Sequence, residues 1–135
     1  MNKKQIDEFL PKAVETIKKT KGPKGIADDN ERVSKTFRGY ISQFGAAVAM
    51  GSLLSAIATL SQQGSAKEDR RKLVDAMEQV LGLNGTSLFD YARKDENNAK
   101  DRILDCALAI KLALNFFEVK EENKNTEETE GGSES

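Results

Sequence analysis

In 135 residues the chain carries no histidine, one cysteine (Cys106) and a formal charge of −1, a length that accommodates one domain with a single modest core. Without histidine it lacks the commonest general base and metal ligand, and one cysteine excludes both an intramolecular disulfide and a cysteine-based metal cluster. The small net charge conceals a split: residues 1–117 hold 19 Lys+Arg against 15 Asp+Glu, whereas residues 118–135 hold 2 against 7.

No apolar run is long enough to span a membrane, and MNKKQIDEFLPK returns to charge before any signal-like apolar region develops. A cytoplasmic protein is expected. Residues 3–20 place Ile6, Phe9, Leu10, Ala13, Val14 and Ile17 on one helical face and Lys4, Glu8, Lys12, Glu15, Lys18 and Lys19 on the other. Pro11 should kink this helix or mark its start. Lys18, Lys21 and Lys24 remain unpaired at its end, where TKGPKGIADDN reads as a turn.

Asp28 or Asp29 is expected to cap a second helix that runs to about Met50 through the longest apolar stretch of the chain. Val33, Phe37, Tyr40, Ile41, Phe44 and Val48 share one side of it, and Ser42, Gly45, Ala46 and Ala49 share the opposite side. A small, uncharged rear face predicts that another helix, of this chain or of a neighbour, packs closely there, making this element a central post. Past Gly51 the apolar stripe of Leu53, Leu54, Ile57 and Leu60 points about 140° away, which predicts a break at Gly51-Ser52 and a third helix to about Ser61.

Ser65 and Glu68 have capping-box spacing ahead of Leu73, Val74, Met77, Val80 and Leu81. Gly82 and Asn84-Gly85 stop that helix, and Ser87 with Asp90 repeats the signal before a short helix from Leu88 to about Arg93. KDENNAKD reads as a polar connection or a frayed helix entry. The last helix, about Ala99 to Val119, is apolar on two sides: Ile103, Cys106, Ala107, Ile110, Leu114 and Phe117 form one, and Leu104, Leu108 and Leu112 the other. A five- or six-helix fold sheathes both sides, or the second is an interface. Residues 122–135 lack aliphatic and aromatic side chains and are expected to be a disordered acidic tail beyond a helical domain of residues 1–121. Strand signals are missing, so the expected fold class is an all-α, compact, single-domain bundle of five to six helices.

No phosphate loop, nucleophile elbow, zinc spacing or EF-hand loop is present, and no cofactor, metal or small-molecule substrate is expected. Asp101 with Asp105 is the best acidic pair, one helical turn apart. Basic residues carry more signal. Lys67, Arg70, Arg71 and Lys72 occupy the first turns of a helix, where the macrodipole disfavours cations, so either Glu68 and Asp75 compensate or the patch faces phosphates. Lys18, Lys21, Lys24, Lys35 and Arg38 complete the nucleic-acid-binding candidates, while Ser42, Gly45, Ala46, Ala49, Leu104, Leu108 and Leu112 are the interface candidates.

Tyr40-Ile41-Ser42-x-Phe44-Gly45, followed by Val48, Gly51 and Leu53-Leu54, is similar to the hallmark helix pair of the small subunit of the type III-B CRISPR Cmr effector complex. The basic-start helix from Arg70 to Leu81 and the closing Ala107-Leu108-x-x-x-Leu112-x-x-x-Phe116 extend the resemblance over about residues 3–118, although Ser52 intervenes after the glycine and Ser55 stands where the family often has proline. The resemblance implies a non-catalytic helical subunit, present in several copies. It would stack on other Cmr subunits and on itself, and line the channel for crRNA-guided target RNA, where base pairing supplies sequence information. Two other classes fit the residues: a helical protein-interaction module, including a type III-A CRISPR small subunit, and a metal-dependent nuclease using Asp101 and Asp105.

Overall fold

Asn2 starts the first helix with its own side chain, because its Oδ1 accepts the backbone N–H of Gln5 at 3.0 Å. The computed structural model describes residues 2–19, 26–28, 30–61 and 67–120, with the side chains of 67–69 and 120 excepted. Helix α1 spans Lys3–Lys19 and continues through Pro11, so the proline is not its start. Ile6, Phe9, Ala13 and Ile17 are buried at the predicted spacing, and Lys18 and Lys19 complement the C-terminal end of the helix dipole.

The second helix begins later than predicted. Asp28 does not cap it: its Oδ1 accepts the N–H groups of Asn30 and Arg32, both at 2.9 Å, and its Oδ2 pairs with Arg32 at 3.3 Å. Glu31 then takes a left-handed φ of 59°, which ends any helical continuation. Asp29, the other proposed cap, lies outside the described residues. Strand β1 (Arg32–Ser34) follows, and Ser34 caps α2 (Lys35–Met50) by accepting the N–H of Thr36 at 3.3 Å.

At the predicted break, Gly51 leaves the helical region with φ −143° and ψ −130°, and Ser52 Oγ accepts the N–H of Ser55 to open α3 (Leu53–Leu60). Helix α4 (Lys67–Leu81) starts beside the predicted cap, but Ser65 itself is outside the described residues. Its end is a Schellman turn. Gly82 N–H donates to Gln79 O and Leu83 N–H to Glu78 O, both at 3.1 Å, with Gly82 at φ 70°, a value that glycine adopts without Cβ strain. Ser87 Oγ accepts the N–H of Asp90 at 3.0 Å and opens α5 (Leu88–Lys94) as its spacing predicted.

Asp95 alone separates α5 from α6 (Glu96–Ala113), so of the two readings of this segment the structure takes the helix entry. Nor does α6 reach Val119: it tightens into a 3₁₀ turn at Leu114–Phe116, and Glu118–Lys120 form strand β2. Strand β2 pairs in parallel with β1, Arg32 opposite Glu118 and Ser34 opposite Lys120. This two-stranded sheet corrects the expectation of no strands; three-residue strands are too short to show an alternating pattern. Among the described residues the architecture is an all-α bundle of six helices with that small sheet beside them.

Helix α1 lies chiefly along α6, α2 packs on α6 and α3, and α4 bridges α1 and α6. Their apolar faces meet in one core that includes Phe9, Ile17, Phe37, Ile57, Met77 and Ile110. Among the described residues no helix is long and apolar enough to cross a membrane. The acidic stretch 122–135, expected to be disordered, lies outside the described residues.

Candidate nucleic-acid interface and docking groove

The α2 helix is a post buried along one stripe only. Phe37, Ile41, Phe44 and Val48 face the core, but among the described residues no helix packs closely on the small side: a Cβ built at Gly45 meets no atom within 4 Å, and Ala46 and Ala49 are exposed. Of the two partners expected for that side, a helix of this chain or of a neighbour, the described residues do not supply the first. One buried stripe already takes up the helices available, leaving the opposite side outward.

The interface candidates nonetheless come together. Ser42, Gly45 and Ala46 of α2 form one wall of a shallow groove whose other wall is Leu104 and Leu108 of α6, with Asp101 and Lys111 at its rim. Leu104 and Leu108 are half-buried and Leu112 is exposed, so the second apolar side of α6 is not sheathed.

On the other flank of α2 lies a second groove of about 290 Å³, shared with α3 and lined by Tyr40, Gln43, Ser55, Thr59 and Arg70 over a floor that includes Phe44 and Leu60. The Arg70 guanidinium carbon sits 5.2 Å from the Tyr40 ring centroid. Placing a cation near the start of α4 is thus compensated by the π-face of Tyr40, a partner thirty residues away that local spacing does not reveal.

The basic candidates do not lie on one stripe. Arg38 and Tyr40 are two residues apart on α2, about 200° around the helix. Arg38 Nη2 donates to Asn115 Oδ1 in the 3₁₀ turn, while Tyr40 meets Arg70 of α4, so α2 separates the two groups. Arg70, half-buried Lys72 and exposed Arg71 share the first turns of α4; exposed Lys35 begins α2, and exposed Lys18 ends α1. Lys21, Lys24 and the side chain of Lys67 lie outside the described residues.

The acidic pair is also resolved by its contacts. Asp105 is 2 % exposed and accepts the backbone N–H of Asn2 at 3.2 Å. With its amide oriented to suit its neighbours, Gln5 donates to Asp105 at 3.1 Å and accepts from Arg102 at 3.0 Å. Asp101 is exposed at the rim of the α2–α6 groove. Asp105 thus secures the start of α1, and among the described residues no three of Cys, Asp or Glu gather to hold a metal ion. Cys106 is buried against α4 with its Sγ 3.8 Å from Met77 O, and burial pushes its thiol far above the ordinary value, so it packs as an apolar group.

Periodicity does not register one further signal in the sequence. From Gly39 to Ala66 there is no charged residue, in a chain of which 32% is charged. The structure turns its described part, up to Ser61, into the α2–α3 corner and leaves the outer side exposed, with Met50 88 % accessible. Compared with protein-family models, curated proteins and solved structures, the chain matches none of them.

Proposed function

We propose that the protein is a non-catalytic, cytoplasmic subunit of a type III-B CRISPR ribonucleoprotein effector. In that role it stacks beside backbone subunits and copies of itself, and helps to hold crRNA-guided target RNA. The observation that carries this reading is the α2–α3 corner: along the stretch on which the resemblance rests, Ile41, Phe44, Val48 and Leu53 face the core, while Ala46, Ala49, Met50 and Gly51 stand exposed and uncharged, with a groove on either flank of α2. An exposed surface of small residues and Met50 suits packing against a neighbouring subunit, whereas the cations at Arg70 and Arg71 suit an RNA backbone.

Co-purification from the native host tests the reading. Co-elution with a guide RNA and larger protein subunits is the expected result, together with RNA affinity that falls steeply as salt is raised. A salt-insensitive complex with protein alone would instead identify a helical interaction module, and magnesium-dependent RNA turnover by the purified chain would overturn the non-catalytic assignment.

A further inference from the structure

We infer that the groove between α2 and α3, with Arg70 at its edge, is a binding site for one unpaired nucleotide of single-stranded RNA, its phosphate on Arg70 and its base against Tyr40. The inference rests on the RNA-binding function proposed above and assigns it a site.

Charge distinguishes this groove from its neighbours. The α2–α6 groove carries Asp101 and Asp105 beside Lys111, and the hollow at the α4–α5 turn carries Asp75 and Glu78. Among the described residues, the lining at Tyr40 and Arg70 contains a cation and no carboxylate. An anionic ligand is therefore attracted here and opposed at the other two.

Arg70 is also presented in a usable form. Its contact with Tyr40 engages the π-face of the ring, and among the described residues no carboxylate pairs with it. A cation–π contact is not a hydrogen bond, so the N–H fork of the guanidinium remains able to donate to phosphate oxygens.

Beside this charge lies apolar surface for a base. Phe44, Ala56 and Leu60 are buried beneath the groove and half-buried Tyr40 forms its side, while Gln43, Ser55 and Thr59 stand exposed with amide and hydroxyl groups. Those groups suit base edges and a ribose 2′-hydroxyl. A volume of about 290 Å³ admits a single base and its sugar, and a paired base in a duplex cannot enter it.

Ser55 offers a test that spares the core. It is exposed in the groove and stands three residues after the cap Ser52, so Ser55→Glu creates a Ser-x-x-Glu capping box while filling the groove with negative charge. Ser55→Leu fills the same space without charge.

The full-length chain is titrated with a labelled single-stranded RNA and with the same ribose-phosphate strand lacking bases, and thermal melting confirms that each variant is folded. Wild type is expected to bind the intact strand about 5- to 150-fold more tightly than the abasic one, the range for loss of one base–aromatic stack. Both Ser55 variants should erase most of that difference, and Tyr40→Phe should retain it. If wild type binds RNA in a salt-dependent way but does not distinguish the strands, or if both Ser55 variants distinguish them as wild type does, the groove assignment is overturned and the RNA-binding function stands. If wild type binds neither strand at low salt, both fall.

Discussion

Arg102 Nε donates to Tyr91 Oη at 2.9 Å, its guanidinium carbon lies 5.3 Å from the Phe9 ring centroid, and Gln5 links it to buried Asp105. One half-buried cation therefore joins α1, α5 and α6, and Asp105 completes the junction by accepting the N–H of the residue that caps α1. Replacing Asp105 by alanine leaves that N–H and the Gln5 amide without an acceptor, so Asp105→Ala should cost about 1–3 kcal/mol. Urea unfolding with an unchanged m-value checks it, and a wild-type midpoint would show that the start of α1 is held by other contacts. Cys106, next to Asp105, adds a pH dependence. Burial raises its folded-state pKa above the ordinary 9.0, with Arg102 offsetting part of the rise. The stabilisation linked to the protonated thiol is complete below that ordinary value. It is lost as pH climbs above it and the unfolded thiol ionises, at up to about 1.4 kcal/mol per pH unit. Cys106→Ala should accordingly show a shallower loss of stability in urea titrations from pH 8 to 10.5; parallel wild-type and variant curves would mean that the thiol reaches solvent.

Gly45, inside α2, and Gly51, at its end, have opposite surroundings. A Cβ at Gly45 meets nothing within 4 Å, whereas one at Gly51 meets the backbone oxygen of Ala47 at 3.2 Å. Gly45 sits inside a helix, so Gly45→Ala should stabilise the isolated chain by about 0.5–1 kcal/mol. Gly51→Ala should give no such gain, because a helical carbonyl cannot yield without disturbing its own hydrogen bond. Thermal melting separates the two. The larger Gly45→Leu should likewise leave the isolated chain folded but obstruct the α2–α6 groove, and its defect should appear in subunit assembly, measured by co-purification. A melting temperature several degrees below wild type for Gly45→Ala would place a packing partner on that face after all.

At the scale of the whole molecule, β2 joins the last described residues to the segment just before α2, with Ser34 opposite Lys120. Among the described residues the last in the core is Phe117, so deleting 121–135 should leave the melting temperature near that of the full chain, whereas deleting 118–135 also removes β2 and should lower it. The shorter deletion removes net negative charge and should strengthen RNA binding at low salt by relieving repulsion; weaker binding would show that the segment takes part in RNA contact. In the full chain, Arg70→Ala with Arg71→Ala should lower the slope of log affinity against log salt by about 0.7 for each single-strand phosphate that the arginines neutralise. An unchanged slope would move the RNA contacts to Lys18, Lys35 and Arg38.

Local sequence alone determined the helical class, the break at Gly51-Ser52, the Schellman stop at Gly82 and the Ser87 cap, because each depends on periodicity or on atoms within a few residues. Contacts distant in sequence were decided by tertiary structure. Val33 and Val119 have helical neighbours and become strand partners only because α6 ends beside the start of α2. Asp105 has the spacing of a surface acid pair and is buried at the cap of α1. Arg70 and Tyr40 lie thirty residues apart, and no periodicity within either helix could show that the ring of one faces the cation of the other. The small face of α2 was visible as composition, but its exposure follows from how many helices surround the post, a property of the assembled bundle.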